Sequence, residues 1–196
     1  MTDETVRVYD QKAGDYAAMT DDYNAEDPHL SDFLDTVPKG GHVLDLGCGP
    51  GMAAARMVAT GLSVDAVDAS SEMVALANRR QGVTARQARF DEIEGQAVYD
   101  GIWANFSLLH ATRAAFPRHL ATLHCALKPG GAFFIGMKLG TGEGPDRLGR
   151  FYTYYAEYEL TGLLTDAGFT VTGRRHGNAP GLDGTASDWI ALAAHA

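Results

Sequence analysis

Cysteine is scarce in this chain of 196 residues: the two present, Cys48 and Cys125, are too few and too unlike a ligand cluster to suggest a disulfide framework or zinc. Both read as reduced, small apolar fillers, and no metal site is expected. Basic residues are also in deficit, with 16 Lys and Arg against 25 Asp and Glu, a formal charge of −9 and a pI of about 5.1. That balance disfavours attachment to nucleic acid or to an anionic membrane, both of which need clustered positive charge. The two basic pairs, Arg79-Arg80 and Arg174-Arg175, read as a solvated helix end and a strand edge. No apolar run approaches the ~20 residues that span a bilayer, and Met1–Asp10 lacks the basic-then-apolar pattern of a targeting segment. A cytoplasmic protein without a membrane partner is expected. Repeats are absent as well, and 45% hydrophobic residues over this length suit one domain, 1–196, burying roughly 70% of its unfolded surface.

What is there centres on residues 43–51, Val-Leu-Asp-Leu-Gly-Cys-Gly-Pro-Gly. The apolar residues Val43, Leu44 and Leu46 suit a strand covered on both faces, while Gly47, Gly49 and Gly51 permit positive φ and close approach of a ligand to bare backbone. Met52–Thr60 is a good helix former that stops before Gly61, so the unit is strand, glycine turn, helix. Ser63–Ala69 is a second apolar strand whose end carries Asp68, twenty-one positions beyond Gly47. An acid there suits the two hydroxyls of a ribose, for a nicotinamide cofactor as well as for other nucleosides. The G-x-G-x-G spacing, however, puts the third glycine out of place for the dinucleotide fingerprint.

The run VLDLGCGPG, Asp68 in VDAVDAS, YDGIWANFSLLH, and LKPGG before GAFFIGMK resemble the ordered motifs of class I S-adenosylmethionine-dependent methyltransferases. The resemblance covers the chain from about residue 9 onward. It implies an α/β, Rossmann-like fold with a seven-stranded, mostly parallel sheet in the order 3-2-1-4-5-7-6, an antiparallel last strand and helices on both faces. Residues 1–38 would form an N-terminal helical lid over a core of 39–196. S-adenosylmethionine would be the cofactor, with a small molecule as methyl acceptor at O, N or S.

By this resemblance Gly47, Cys48, Gly49 and Gly51 shape the pocket for the methionine part, Asp45 orients its amino end, and Asp68 with Ala69 holds the ribose. An amphipathic helix at 2–19 would cross the cofactor mouth, making Tyr16, with Tyr9, a cover for the methionine part or the acceptor. Met73, on a helix capped by Ser70 or Ser71, would approach adenine. After a third strand at 83–90, the acid that related proteins use for the adenine amino group aligns with Arg89. The expected contacts there are therefore the Phe90 main chain and Asp91 from a shifted position. Asp-Asp-Tyr-Asn-Ala-Glu-Asp at 21–27 reads as an acidic connector, and Pro28 opens a short helix with an apolar stripe of Leu30, Phe33, Leu34 and Val37.

A fourth strand at 99–107 has Asn105 and Phe106 at its carboxyl end, where open parallel sheets bind ligands, so Asn105, Phe106, Ser107 and His110 are expected beside the sulfonium. His110 is the candidate general base, by location and by its near-neutral titration. Pro117 opens a helix, LKPGG turns the chain, and the fifth strand, 131–138, ends at Lys138. The loop 139–150 holds four glycines, Glu143, Asp146, Arg147 and Arg150, and is expected to be a mobile lid. Lys138 and Arg150 are candidates for gripping an anionic group of the substrate. Strands at 169–174 and 187–194, joined by a turn at 177–184, would complete the sheet. Two rival readings stand beside methyl transfer: a cofactor-binding module or sensor of the same fold without turnover, and a nicotinamide-dependent oxidoreductase.

Overall fold

The computed structural model describes residues 1–24 and 27–196, with the backbone alone for 21–24. Helix α1 spans Asp3–Asn24, longer than the 2–19 expected, so the acidic connector at 21–27 begins as helix and otherwise lies partly outside the described residues. Helix α2, Pro28–Thr36, starts as expected at its proline, with the Asp27 carboxylate accepting from the His29 N–H at 2.9 Å.

Alternating strands and helices follow: β1 (His42–Leu46), α3 (Met52–Ala59), β2 (Ser63–Asp68), α4 (Ser71–Ala77), β3 (Ala85–Gln87), β4 (Tyr99–Asn105), α5 (Phe116–Ala126) and β5 (Leu127–Lys138). A small hairpin of β6 (Glu143–Pro145) and β7 (Phe151–Thr153) precedes α6 (Glu157–Asp166), β8 (Thr170–Pro180) and β9 (Ala186–His195). The main sheet has seven strands in the order β3-β2-β1-β4-β5-β9-β8, with β1 to β5 parallel and β9 antiparallel to both neighbours. Leaving the small hairpin aside, this is the expected 3-2-1-4-5-7-6.

Because side chains alternate across a strand, each strand feeds two cores. Leu44 and Leu46 of β1, Ile102 of β4, Phe133 and Ile135 of β5 and Leu192 of β9 pack against α5 and α6 through Leu120, Leu160 and Leu164. Val43, Trp103, Phe134 and Ala191 face the other way, toward Leu30 and Phe33 of α2 and Met57 of α3. On that second face Trp103 and Phe134, which are register partners, stack at 3.9 Å. The same alternation carries Asp45, Asn105 and Lys138 onto this face, each at or near the carboxyl end of its strand.

Three segments depart from the sequence reading. β3 shrinks to three residues because the ladder with β2 ends at Asp68, whose carbonyl accepts from Ala88 N–H, and Phe90 begins a single 3-10 turn. β5 begins four residues earlier, at Leu127, which pairs with Tyr99 across an irregularity in the register. The segment 139–150 is a folded β6–β7 hairpin rather than an open loop, held by a buried ion pair described below. Cys48 is buried as expected, but Cys125 lies exposed on α5, so only the first acts as filler.

Candidate active site

The turn after β1 is shaped by its backbone. Gly47 has φ +76°, and a Cβ there would stand 2.4 Å from the Ser107 Cβ, so only glycine fits between β1 and the turn after β4. Gly51, at φ +81°, caps α3 against Ala77, 2.8 Å from where its Cβ would be. The N–H groups of Gly47 and Cys48 both donate to the Val67 carbonyl, and Arg80 Nε donates to the Pro50 carbonyl at 2.5 Å. Arg80 is thus a strut of the turn, and the reading of Arg79-Arg80 as a solvated helix end is corrected for it.

Asp68 is bound into this turn: Oδ2 accepts from Gly49 N–H and Oδ1 from Ser70 N–H, both at 2.9 Å. Ser70 caps α4 by accepting from Met73 N–H and donates its own proton to Asp10 Oδ1 of α1 at 2.6 Å. Asp10 also accepts from Glu72 N–H at 3.3 Å, which ties α1 to the start of α4. Tyr16, further along α1, lies over the glycine turn, and its ring meets that of Tyr9 edge to face at 5.6 Å.

A cavity of about 350 Å³ opens from the turn across the carboxyl ends of β4 and β5 and the amino end of the antiparallel β9. At one end stand Asp45, Gly47, Cys48, Gly49 and Tyr16; at the other, Lys138, Arg150, Tyr152 and Trp189. Asn105 and Phe106 stand between them. Phe106 holds φ +52°, a conformation a bulky residue adopts only under constraint, and its N–H donates to the Gly136 carbonyl. A side chain at Gly136 would meet Asn105 Oδ1 at 2.5 Å, so that glycine leaves Asn105 its place.

Asp45 is 2% exposed, and its Oδ2 is buried without a hydrogen-bond partner. Burial, reinforced by the charge of Asp68 and opposed by the Ala54 N–H, pushes its carboxyl up to about 7. An orphaned carboxylate oxygen beside a backbone cradle fits a ligand carrying a cationic amino group, and the Asp68 carboxylate behind that cradle fits a sugar diol. The residues present therefore suit S-adenosylmethionine.

Behind the opposite wall lies a chain of polar groups. His110 Nδ1 is 2.6 Å from the Phe151 carbonyl, which can only accept, so Nδ1 carries the proton and Nε2 is left as an acceptor. Tyr9 donates its hydroxyl to that Nε2 at 2.8 Å and accepts from Arg150 Nη1 at 3.3 Å. Burial holds the imidazole down to about 3, so His110 is neutral. Arg150, 1% exposed, is fixed by Asp146 Oδ2 at 2.6 and 2.9 Å. Two sequence expectations are corrected here. His110 does not face the cavity, and its lone pair is taken by Tyr9; Arg150 is a buried, paired residue rather than a free grip on a mobile lid.

The expected residues thus divide. Tyr16, Asp45, Gly47, Cys48, Gly49, Asn105, Phe106, Lys138 and Arg150 share one cavity. Gly51 and Asp68 support the cradle from behind it, while Ala69, Met73 and Phe90 are buried outside the cavity walls and Asp91 is exposed. Arg89, aligned with the adenine acid of related proteins, bonds instead to Asp3 and to the Met1 carbonyl and so holds the start of α1. Residues the sequence did not single out complete the wall: Trp103, Pro180, Gly181, Leu182 and Trp189, the last four brought in by β8, β9 and their turn. Their one legible signal was the glycine-rich turn itself. Among the described residues no cluster of His, Cys, Asp and Glu could hold a metal ion, and no helix is long and apolar enough to cross a membrane.

Residues 43–131 match the family model described as methyltransferase domain. A dimethylglycine N-methyltransferase of Parasynechococcus marenigrum (strain WH8102) is 33% identical over 113 residues, covering 53% of this chain. The chain spans 40% of that relative's length. Among solved structures, the Burkholderia thailandensis 1,6-didemethyltoxoflavin-N1-methyltransferase, crystallised with 1,6-didemethyltoxoflavin and S-adenosylhomocysteine, superposes with a TM-score of 0.73 at 26% identity, over 96% of this chain and 87% of its own. The 4+2 cyclase SpnF shares the fold alone, with a TM-score of 0.68 at 18% identity over 86% and 80% of the two chains. In strand order, glycine turn and the domain match over residues 43–131, this chain is similar to the class I S-adenosylmethionine-dependent methyltransferases. The cofactor of that class is S-adenosylmethionine, whose chemistry the cradle suits.

Proposed function

We propose that the protein transfers the methyl group of S-adenosylmethionine to a small-molecule O, N or S acceptor, with residues 1–38 covering the site. The observation that carries this reading is one continuous cavity, with a glycine cradle and the orphaned Asp45 oxygen at one end and an aromatic chamber at the other. Nitrogen is the favoured acceptor atom, since the curated relative and the Burkholderia enzyme are both N-methyltransferases.

Bound S-adenosylmethionine supplies an electrophilic methyl group, so the protein has three tasks: to hold, to align and to exclude water. The Gly47–Gly51 backbone and Asp45 hold the amino-acid part, and Asp68, with Ala69 behind it, holds the ribose. Met73, the Phe90 main chain and Asp91 are the proposed adenine contacts. Asn105 and Phe106 stand where the two halves of the cavity meet and align the acceptor; Phe106, Tyr152, Trp103 and Trp189 keep water out. The Tyr9 hydroxyl is the polar group that this wall presents to the acceptor, fixed by His110 Nε2 behind and Arg150 beside it. His110, held neutral by its burial, orients the Tyr9 hydroxyl and is not itself the base.

Incubation of the purified protein with methyl-labelled S-adenosylmethionine and a panel of small amines, phenols and thiols tests this reading. Label transfer with formation of S-adenosylhomocysteine is the expected result; absence of cofactor binding would overturn it. The sensor reading has one observation in its favour, the His110 lone pair already occupied by Tyr9, and predicts tight cofactor binding with no transfer to any acceptor. Competition between S-adenosylhomocysteine and NAD decides against or for the oxidoreductase.

A further inference from the structure

Resting on the proposed function, and naming the substrate class for its acceptor end, we infer that Lys138 is an oxyanion-recognition residue and that the acceptor is a small aromatic or heteroaromatic carboxylate. Two cations line the cavity from the β5–β7 side, and only one is satisfied. Arg150 is neutralised by Asp146, with contacts at 2.6 and 2.9 Å, and buried. Lys138, the last residue of β5, forms no ion pair or hydrogen bond among the described residues; its Nζ lies 4.6 Å from the centre of the Tyr152 ring. A half-buried ammonium over a ring face and next to Gly181, in no hydrogen bond among the described residues, keeps unused donor capacity at the wall of the chamber.

The surroundings define the rest of the ligand. Lys138 is the register partner of Trp189, whose ring meets Phe106 edge to face at 6.1 Å. Leu109, Pro180 and Leu182 line the same cavity. The chamber is therefore apolar and aromatic, with one ammonium that no ion pair holds among the described residues. Asp45 and Asp68 put negative charge at the cradle end, so the cavity is polarised along its length. A ligand with a flat apolar body and a carboxylate at the end away from the cofactor meets both features. A volume of about 350 Å³, shared with part of the cofactor, limits it to one or two rings. Asp183, across the β8–β9 turn, faces Lys138 without forming an ion pair, so it does not occupy the donor; together with Asp146 and Arg150 it completes the charged groups around it.

Both tryptophans of the chain, Trp103 and Trp189, line this cavity, so intrinsic fluorescence reports on it directly. The test titrates benzoate and its neutral isostere benzamide into the protein saturated with S-adenosylhomocysteine, for the native chain, Lys138→Met and Lys138→Arg. Expected are quenching by benzoate in the native chain, affinity for benzoate weakened at least about tenfold in Lys138→Met, retained preference for benzoate in Lys138→Arg, and weak benzamide binding that no substitution changes. Equal affinity for benzoate and benzamide in the native protein, no benzoate binding at millimolar concentration, or unaltered benzoate affinity in Lys138→Met would each overturn the inference. S-adenosylhomocysteine titration of the same proteins keeps the two readings apart: its failure in the native chain refutes the cofactor site, whereas normal binding with no carboxylate preference refutes only the role of Lys138.

Discussion

Tyr9 and His110, 101 positions apart, share a hydrogen bond of 2.8 Å in which the tyrosine hydroxyl donates to Nε2. The imidazole is locked into that acceptor state by the Phe151 carbonyl on its other side. Tyr9→Phe leaves a buried nitrogen and Arg150 Nη1 unsatisfied, and is expected to cost about 1–3 kcal/mol in urea unfolding. Combined with His110→Leu it should cost less than the two single losses together, by about 0.5 kcal/mol or more. Strict additivity would show that the pair is not coupled.

The same imidazole gives an acid-side signature. Burial holds it down to about 3 in the fold, against an ordinary value of 6.5, so the unfolded chain takes up a proton that the native one refuses. Its contribution favours the fold above the ordinary value and is lost as pH falls through that window. Native protein should lose stability between about pH 6.5 and 4 more steeply than His110→Leu does, in parallel urea titrations.

Asp45 behaves in the opposite sense. Its carboxyl is raised from 3.8 to about 7, chiefly by burial, so between those values the fold keeps a proton that the unfolded chain has released. Stability of the ligand-free protein therefore falls as pH rises through this range. Binding of S-adenosylhomocysteine, whose amino group is cationic, should strengthen over the same range as the carboxylate ionises. Calorimetric titration from about pH 5.5 to 8.5 should show that rise in the native protein and a flat, weaker profile in Asp45→Asn. A flat native profile would mean that Asp45 does not meet the cationic end.

Asp68→Ala is expected to lower S-adenosylhomocysteine affinity at least about tenfold and to destabilise the ligand-free protein by about 2 kcal/mol or more. The second effect follows from the Gly49 and Ser70 N–H groups that lose their acceptor. Thermal unfolding with and without ligand separates the two, since a purely structural role would shift both melting temperatures equally.

Asp146→Ala removes the partner of a guanidinium whose side chain is 2% exposed. Breaking a buried pair from one side costs about 3–5 kcal/mol, because the remaining charge stays desolvated. Chemical denaturation should show a loss of that size; a loss below about 1 kcal/mol would place Arg150 in contact with water.

The sequence was most legible where chemistry is local. The glycine turn, the Ser70 cap, the Pro28 helix start and the placement of Asp68 all depend on residues within a few positions or on strand periodicity. So does the face shared by Asp45, Asn105 and Lys138. What escaped depends on tertiary register. Trp189 reaches the chamber only because β9 runs antiparallel to β5 with Lys138 opposite it. Loop 139–150 looked open because its glycines suggest freedom, whereas the Arg150–Asp146 pair and the β6–β7 ladder fold it. Arg89 could be aligned with a family position, but its partners at the chain start were not legible from its neighbours.

Helix α1 is stitched at two places: Asp10 to the start of α4, and Thr5 and Tyr9 to the β6–β7 hairpin through Phe151 N–H and Arg150. The helix that lies over the glycine turn and the cavity wall beside Tyr9 are consequently one mechanical piece. The Tyr9–His110 hydrogen bond therefore belongs to the docked position of this helix, and weakening either stitch bears on both.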